Sequence, residues 1–515
     1  MNCTTPNLSE KDKQSLQRHG IGVVDAEHQL AVLKASRTYV ELDEACTLGD
    51  GIEVLTSQMH DSFMQAHQES VAERRWLNFV PASGAASRMF SFHHDRDKRR
   101  FCRSLVRFAF VDRLRNHLTD QGLNLGELLR GCRYDDLVGA VIGEHGLGYG
   151  NAPKGLVEFH CYGDATRTPL EEHLLEALAC QGTDDETPLV HFTVGDAHRH
   201  AFLERLERFR EESPEHFCPV SFSTQDRSTD TIAIDEAGDL LRDAEGELVF
   251  RPGGHGALIE NLNRLQADLV FVKNIDNVCH QRMRDETMFW TRMLGGYLVR
   301  IERAVHEHLQ ALRTEDDRAV AAACDFVSLL FPGAAIPPFG DRAALRCALI
   351  TQLRRPLRVC GVVRNEGEPG GGPFWVRRED GGLSQQIVES AEIDPDDSKQ
   401  QALFRKASHF NPVFMALSVR NELGENYDLR QFVDDNRYIV TNKVVGDRNA
   451  TVLERPGLWN GGMANWNTVF VEVPKAVFSP VKSVFDLLRS PHQARQSKYR
   501  MSVAPLHQFP KAVCF

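Results

Sequence analysis

WLNFVPASGAASRMF, residues 76–90, sets an apolar run against a cluster of very small residues and then an arginine. WLNFV reads as a buried strand, and ASGAAS as the turn that leaves it. Side chains that small let something bulky and polar approach the backbone, whose N–H groups are ready donors to an oxygen-rich anion. Directly afterwards Phe101, Leu105, Phe108, Val111, Leu114 and Leu118 recur every three to four residues, which predicts an amphipathic helix. Strand, small-residue turn and helix in that order are the local context of a phosphate loop in an open α/β sheet. In such sheets ligands sit at the carboxyl ends of the strands.

The pattern repeats downstream. TPLVHFTVG (187–195) and CPVSFSTQ (218–225) flank the helical HRHAFLERLERFREE, a βαβ arrangement. DTIAID (230–235) and GELVF (246–250) suggest a hairpin, and ADLVFVKNIDNV (267–278) a buried strand with a polar end. A long helix is expected from about Asp285 to Leu312. Ahead of the first strand, residues 9–70 read as helical, opening with a capping box at Ser9 and Asp12. Residues 1–75 are therefore expected to be a helical N-terminal extension. A nucleotide-binding core follows over 76–332, with a helical insertion near 95–150. FPGAAIPPFG (331–340), with its three prolines, separates that core from an α+β second half, 343–515, which supplies the acceptor site.

Composition narrows the function. With 72 acidic and 60 basic residues among 515, the formal charge of −12 argues against a surface built for nucleic acid or an anionic membrane. No stretch approaches the roughly 18 apolar residues of a membrane helix. The 12 cysteines include no C-x-x-C pair, and the N-terminus lacks a secretory pattern, so a reducing cytoplasm is expected.

Three motifs carry chemistry. Ser83, Gly84, Ala85, Ala86 and Ser87 open the backbone to an anion, with Arg88 as a nearby charge, although a tight packing turn has the same composition. In APKGLVEF (152–159), Lys154 can neutralise phosphate charge, or be a surface cation. RPGGHGAL (251–258) precedes VKNIDNV (272–278), which puts Asp276 at a strand end. There a carboxylate can hold Mg²⁺ and through it bridge phosphate oxygens, or simply cap a turn. The second half offers Asn365 and Glu366 in RNEGEPGGGPFWV, Glu389 in QQIVESAEID, and Asn411 in SHFNPV. LWNGGMANWN sets amides among tryptophans, the residue types that read sugar hydroxyls and stack on sugar rings.

In their order, ASGAASRM, PKGLVEF, PGGHGAL and NIDN resemble the GT-A-like (Rossmann-like) sugar nucleotidyltransferases, most closely the UDP-sugar pyrophosphorylases. The longer strings PASGAASRMF, FRPGGHGALIENLN, RNEGEPGGGPFWV and PGLWNGGMANWN resemble those of a bacterial family called domain of unknown function 4301, and the chain is identified as a member of it. The superfamily resemblance implies an α/β fold with a mixed, mostly parallel sheet flanked by helices, and transfer of an NMP from an NTP to a phosphorylated small-molecule acceptor, foremost a sugar 1-phosphate, with release of pyrophosphate. It implies that Ser83, Gly84, Ala85 and Ala86 wrap the nucleotide phosphates while Arg88 and Lys154 take up their charge. Gly254 and His255 would lie by the base or ribose, Gln225 would be the strand-end glutamine, and Asp276 would bind the metal. Asn365, Glu366, Glu389 and Asn411 would serve the acceptor. Two departures stand out: Ser83 and Ala86 occupy positions where that superfamily prefers glycine, and the stretch from Arg88 to Lys154 is longer than usual. A nucleotide-sugar glycosyltransferase, which calls for a second carboxylate beside Asp276, and a nucleotide-binding protein without turnover remain as alternatives.

Overall fold

Among the described residues, apolar runs drawn from most of the chain's length pair into one sheet of ten strands. In chain order these are β1 (Thr47–Leu48), β2 (Gly51–Glu53), β3 (Trp76–Pro81), β4 (Leu189–Val194), β5 (Val220–Thr224) and β6 (Leu269–Lys273). Then follow β7 (Leu357–Arg364), β8 (His409–Phe410), β9 (Phe414–Ser418) and β10 (Asn467–Glu472). Side by side they run β1-β2-β10-β7-β9-β6-β3-β4-β5, with β8 on β7. Along that path only the two pairings of β9 are antiparallel. Strands β3 to β7 and β10 therefore deliver their chain to the same edge. Every residue of β6 is buried, as expected of a strand covered on both faces, and this is why it reads as an unbroken apolar run.

The computed structural model describes residues 8–494 apart from 36, 74–75, 182–188, 217, 315, 338–340, 369, 379 and 447. Both ends of the expected segments, 1–7 and 495–515, thus lie outside the described residues, as does the end of the proline-rich stretch. The βαβ unit is present: the helix Arg199–Glu212 links β4 to β5, with Phe192 opposite Phe222. The long helix spans Arg284–Ala311, within a residue of expectation. It crosses the helix Ser57–Glu73 at Gly296, where a Cβ would lie 1.8 Å from the Phe63 carbonyl oxygen. Among the described residues no helix is long and apolar enough to cross a membrane.

Three expectations change. Residues 9–70 are not helical throughout. The capping box of Ser9 and Asp12 starts the helix Glu10–His19, and Val23–Lys34 follows. Leu42–Ala45, β1 and β2 then intervene: Leu42–Ala45 and β2 have ladder partners far away, with Leu42 opposite Val376 and Ile52 opposite Phe470, and β1 pairs with β2. Local periodicity carries no trace of such partners. Nor do the segments on either side of the prolines form separate sheets: β7, β9 and β10 lie between β2 and β6, and Thr231–Asp235 pairs with Arg448–Glu454. The single helix expected over 101–118 is broken. Asp95–Ser104 and Val111–Asp120 are separated by a tight turn in which Phe108 stacks on Phe110 at 5.1 Å. With Leu125–Arg130 and Tyr134–Ile142 these helices fill the long stretch between Arg88 and Lys154 and bury a phenylalanine-rich core of their own.

Candidate functional site

The edge where β3, β6, β7 and β10 end gathers most of the residues singled out above. After Pro81 the chain turns back on itself, leaving Ser83, Gly84, Ala85 and Arg88 exposed and burying Ala86. The turn is pinned to the segment that carries Lys154. The Ala86 N–H donates to the Ala152 carbonyl at 2.8 Å, and the Lys154 N–H to the Gly84 carbonyl at 3.0 Å. A Cβ placed on Gly84 would meet nothing within 4 Å, so this part of the backbone faces open space.

Beyond β6, the Ile275 N–H donates to the Pro81 carbonyl at 3.2 Å, which fixes the next residue, Asp276, beside the turn. There Lys154 Nζ lies 2.8 Å from Asp276 Oδ2 and also donates to the Val481 carbonyl at 3.0 Å. Lys482 Nζ stands 3.5 Å from the same carboxylate oxygen. The Asp276 and Lys154 side chains are only 9% and 12% exposed, whereas Lys482 is 61% exposed. One carboxylate facing two ammonium groups leaves a net positive charge below an open backbone turn, an environment that favours a phosphate.

The same geometry tests the expected Mg²⁺. The Asp276 carboxylate already carries two ammonium groups, and no group of three His, Cys, Asp or Glu side chains among the described residues could hold a metal ion. The residues present therefore do not fit a divalent cation held by the protein itself. Lys482 and Val481 were not singled out in the sequence. The available signal was PVK (480–482) ahead of the Ser483–Asp486 capping box, a proline-led lysine much like Pro153–Lys154.

A second group forms where Gln225, just past β5, donates Nε2–H to the Gly254 carbonyl at 3.3 Å. The next residue, His255, stacks on Trp459 with centroids 4.3 Å apart and accepts from the Leu458 N–H at 3.1 Å through Nδ1. Burial holds this imidazole's pKa below its ordinary value. Trp459 Nε1–H donates to Glu389 Oε1 at 3.2 Å, so a carboxylate, an indole and an imidazole line up in sequence.

The remaining acceptor candidates divide. Asn365 and Glu366 are exposed at the end of β7, where Asn365 Oδ1 accepts from the Gly367 N–H at 2.9 Å and Glu366 pairs with Lys475 at 3.3 Å. Asn411 is buried. Its Oδ1 accepts from the Val413 N–H at 2.8 Å, and its Nδ2 donates to the Gly361 carbonyl at 3.2 Å. The first bond holds a turn in which Val413 adopts a φ of 56° and the second ties that turn to β7, which gives Asn411 a structural role.

Comparison with known proteins adds the following. No curated protein matches the sequence. Among solved structures, the UDP-N-acetylglucosamine pyrophosphorylase from Trypanosoma brucei is similar over 93% of this chain and 79% of its own, at 12% identity and a TM-score of 0.46. The UDP-glucose pyrophosphorylase from Leishmania major is similar over 93% and 78%, at 13% identity and a TM-score of 0.43. A putative UDP-N-acetylglucosamine pyrophosphorylase from Entamoeba histolytica covers 84% and 82%, at 12% identity and a TM-score of 0.42. The model of the family described as Domain of unknown function (DUF4301) matches residues 9–493, and the chain belongs to that family.

Proposed function

We propose that this protein transfers a nucleotidyl group from an NTP to a phosphorylated metabolite, with a sugar 1-phosphate as the acceptor. The observation that carries the reading is the Lys154, Asp276 and Lys482 cluster below the open Gly84 turn. It lies at the carboxyl edge of a mostly parallel sheet, where ligands of open α/β sheets sit. In this reading the backbone of Ser83 to Ala86 receives the triphosphate with Arg88 at its rim, and Asp276 aims the two lysines at it. An oxygen of the acceptor's phosphate attacks the α-phosphorus in line. The bond from the α-phosphorus to the bridging oxygen breaks, and pyrophosphate leaves with the electron pair. Lys154 and Lys482 take up the charge that develops, so the work of the protein is positioning and electrostatics.

The triphosphate is taken as its magnesium complex, so the divalent ion belongs to the substrate. Gln225, Gly254 and the His255–Trp459 stack offer an edge and a flat face to a base, while Glu389, Asn365 and Glu366 offer acceptors and donors to sugar hydroxyls. Two lysines where a metal-dependent glycosyltransferase needs a second carboxylate favour nucleotidyl transfer over that alternative. The test is pyrophosphate release from ATP, CTP, GTP, UTP and dTTP with Mg²⁺, against pooled sugar phosphates. Release that requires one nucleotide and one acceptor supports the reading. Nucleotide binding without release across the panel refutes it in favour of a binding protein.

A further inference from the structure

Residues 478–493 cross the end of the site as a strap. The Ser479 N–H donates to Asn277 Oδ1 at 2.9 Å, the Val481 N–H to the Asp276 carbonyl at 3.1 Å and the Val484 N–H to the Met89 carbonyl at 2.9 Å. The same strap supplies the Val481 carbonyl that receives Lys154, and it supplies Lys482 itself. Its far end is held by the His280 N–H on the Pro491 carbonyl at 2.8 Å, by Arg282 on the Gln493 carbonyl at 2.8 Å and Ser490 Oγ at 3.1 Å, by Arg107 on the Leu488 carbonyl at 2.9 Å, and by a buried polar chain that the proposed reaction does not use. His492 Nδ1 lies 2.9 Å from His160 Nε2, and His160 Nδ1 lies 2.9 Å from Glu172 Oε1. Tyr162 donates to that oxygen at 2.7 Å, and Arg284 to the other carboxylate oxygen at 2.7 Å. His160 and Glu172 are wholly buried and His492 is 3% exposed. The gap between the two imidazoles has room for one hydrogen, so protonating both rings sets two N–H groups against each other.

We infer that His492 is a positioning residue: through His160 and Glu172 it fastens the 478–493 strap so that Lys482 reaches Asp276, and protonation of His492 unfastens it. The fastening rests on the contacts above, and only the task of Lys482 rests on the phosphate-site reading. Arg282, which donates to Ser490 and Gln493 on either side of His492, is one charged group packed against this turn. Burial and then His160 lower its pKa, with Arg489 of its own turn adding to this. The Ser479 backbone and Glu172 raise it, and Arg284 stands behind Glu172. The His280 ring packs 5.9 Å from that of His160. The balance holds His492 at about 3, against about 6.5 for a free imidazole. The released strap thus binds the proton more readily than the fastened one. Closure is complete above about pH 6.5 and weakens as pH falls toward 3. Between pH 7.5 and 5.5 the ratio of open to closed strap rises about tenfold.

Hydrogen exchange of the Val481 and Val484 amides in the full chain, corrected for intrinsic rates, reads this opening directly. The wild type is expected to lose about tenfold protection between pH 7.5 and 5.5. His492→Gln, which keeps a partner for His160 but does not titrate, is expected to lose none, and His492→Ala to be less protected than wild type at pH 7.5 with no further loss at pH 5.5. Unchanged protection in the wild type, or an equal loss in His492→Gln, overturns the inference. Pyrophosphate titrated into the two variants at pH 7.5 reads the task of Lys482, with about tenfold weaker binding expected for His492→Ala. Equal binding by the two overturns the positioning role. Pyrophosphate that binds neither variant nor the wild type, with strap amides behaving as stated, refutes the nucleotidyl-transfer reading while the clasp stands.

Discussion

Whether Asp276 acts through Lys154 or on its own is decided by a double-mutant cycle. Asp276→Asn keeps the shape of the side chain and removes its charge, leaving Lys154 with the Val481 carbonyl as its main partner. The pair is 2.8 Å apart and about nine-tenths buried, so removing one partner is expected to cost about 3 kcal/mol of stability. Loss of one cation that stabilises transition-state charge lowers kcat/KM by about 10²–10³, and Lys154→Met should fall in that range. Asp276→Asn should do nearly the same, because it frees the lysine it aims. In the double variant only the effect through Lys482 remains to be lost. That ammonium is 3.5 Å away and 61% exposed, and should contribute less than about tenfold. The double variant should therefore sit no more than about 10³–10⁴ below wild type, where independent action predicts about 10⁴–10⁶. The assay is pyrophosphate release at low substrate, with denaturant melts of all four proteins to confirm folding. Full additivity would refute the ion-pair argument and return Asp276 to a direct role, such as holding a metal.

Glycines separate the site from the fold. Gly84→Ala meets no atom within 4 Å, so its urea midpoint should match wild type while nucleotide affinity, read by calorimetry, falls at least about tenfold. Unchanged affinity would remove this turn from the phosphate site. At Gly457 a Cβ would lie 2.3 Å from His255 Cε1, so Gly457→Ala must displace the ring from Trp459 and should cost about 1–3 kcal/mol by the same melt. A silent substitution there would show that the stack is loosely held. Burial lowers the pKa of His67, His173 and His191 to about 4 each, against about 6.5 when unfolded. A depressed histidine contributes fully above pH 6.5 and loses its contribution as pH falls, about 2 kcal/mol each between pH 7.5 and 5. Glu172, held at about 2, keeps its contribution throughout that window and weakens only below its ordinary range. Urea midpoints should drop markedly at pH 5, and equal midpoints at both pH values would refute this account.

What the sequence revealed was what short range determines. Strand β3, its small-residue turn, the βαβ unit of β4 and β5 and the Arg284–Ala311 helix are all written in local periodicity. Asp276 was readable as a strand-end carboxylate and Lys154 as a proline-led cation. Their meeting was not, since 122 residues separate them and the contact depends on where β6 lies beside β3. Lys482 looked like any surface lysine until the strap brought it to Asp276. Asn411 carried the opposite ambiguity: an amide before a proline suits a sugar, but here its Oδ1 holds the turn at Val413 and its Nδ2 bonds the Gly361 carbonyl of β7. Leu42–Ala45 was lost in a helical reading because four residues that borrow Phe374 to Val376 as partners show no period of their own.

The order of the strands also limits how the site can close. Strand β9, from beyond the proline-rich stretch, pairs with β6 over five residues and with β7 over four, and β10 is bound to β7 over six. If the segments before and after 331–340 rotated as separate bodies around a ligand, the β6–β9 ladder at the centre of the sheet would have to break. Each of its hydrogen bonds contributes only about 1 kcal/mol net, but a buried donor left without a partner costs about 1–3 kcal/mol. That penalty falls on fully buried backbone, since every residue of β6 and β9 is buried. A hinge at the prolines is therefore the expensive route. The turn at Gly84 and the strap over 478–493 lie at the edge of the sheet; the strap also buries Val481, Val484 and Leu487 in the phenylalanine-rich core, but neither segment belongs to a central ladder. Movement at this edge would spare the central ladders, and it is the same place where Lys154, Asp276 and Lys482 come together.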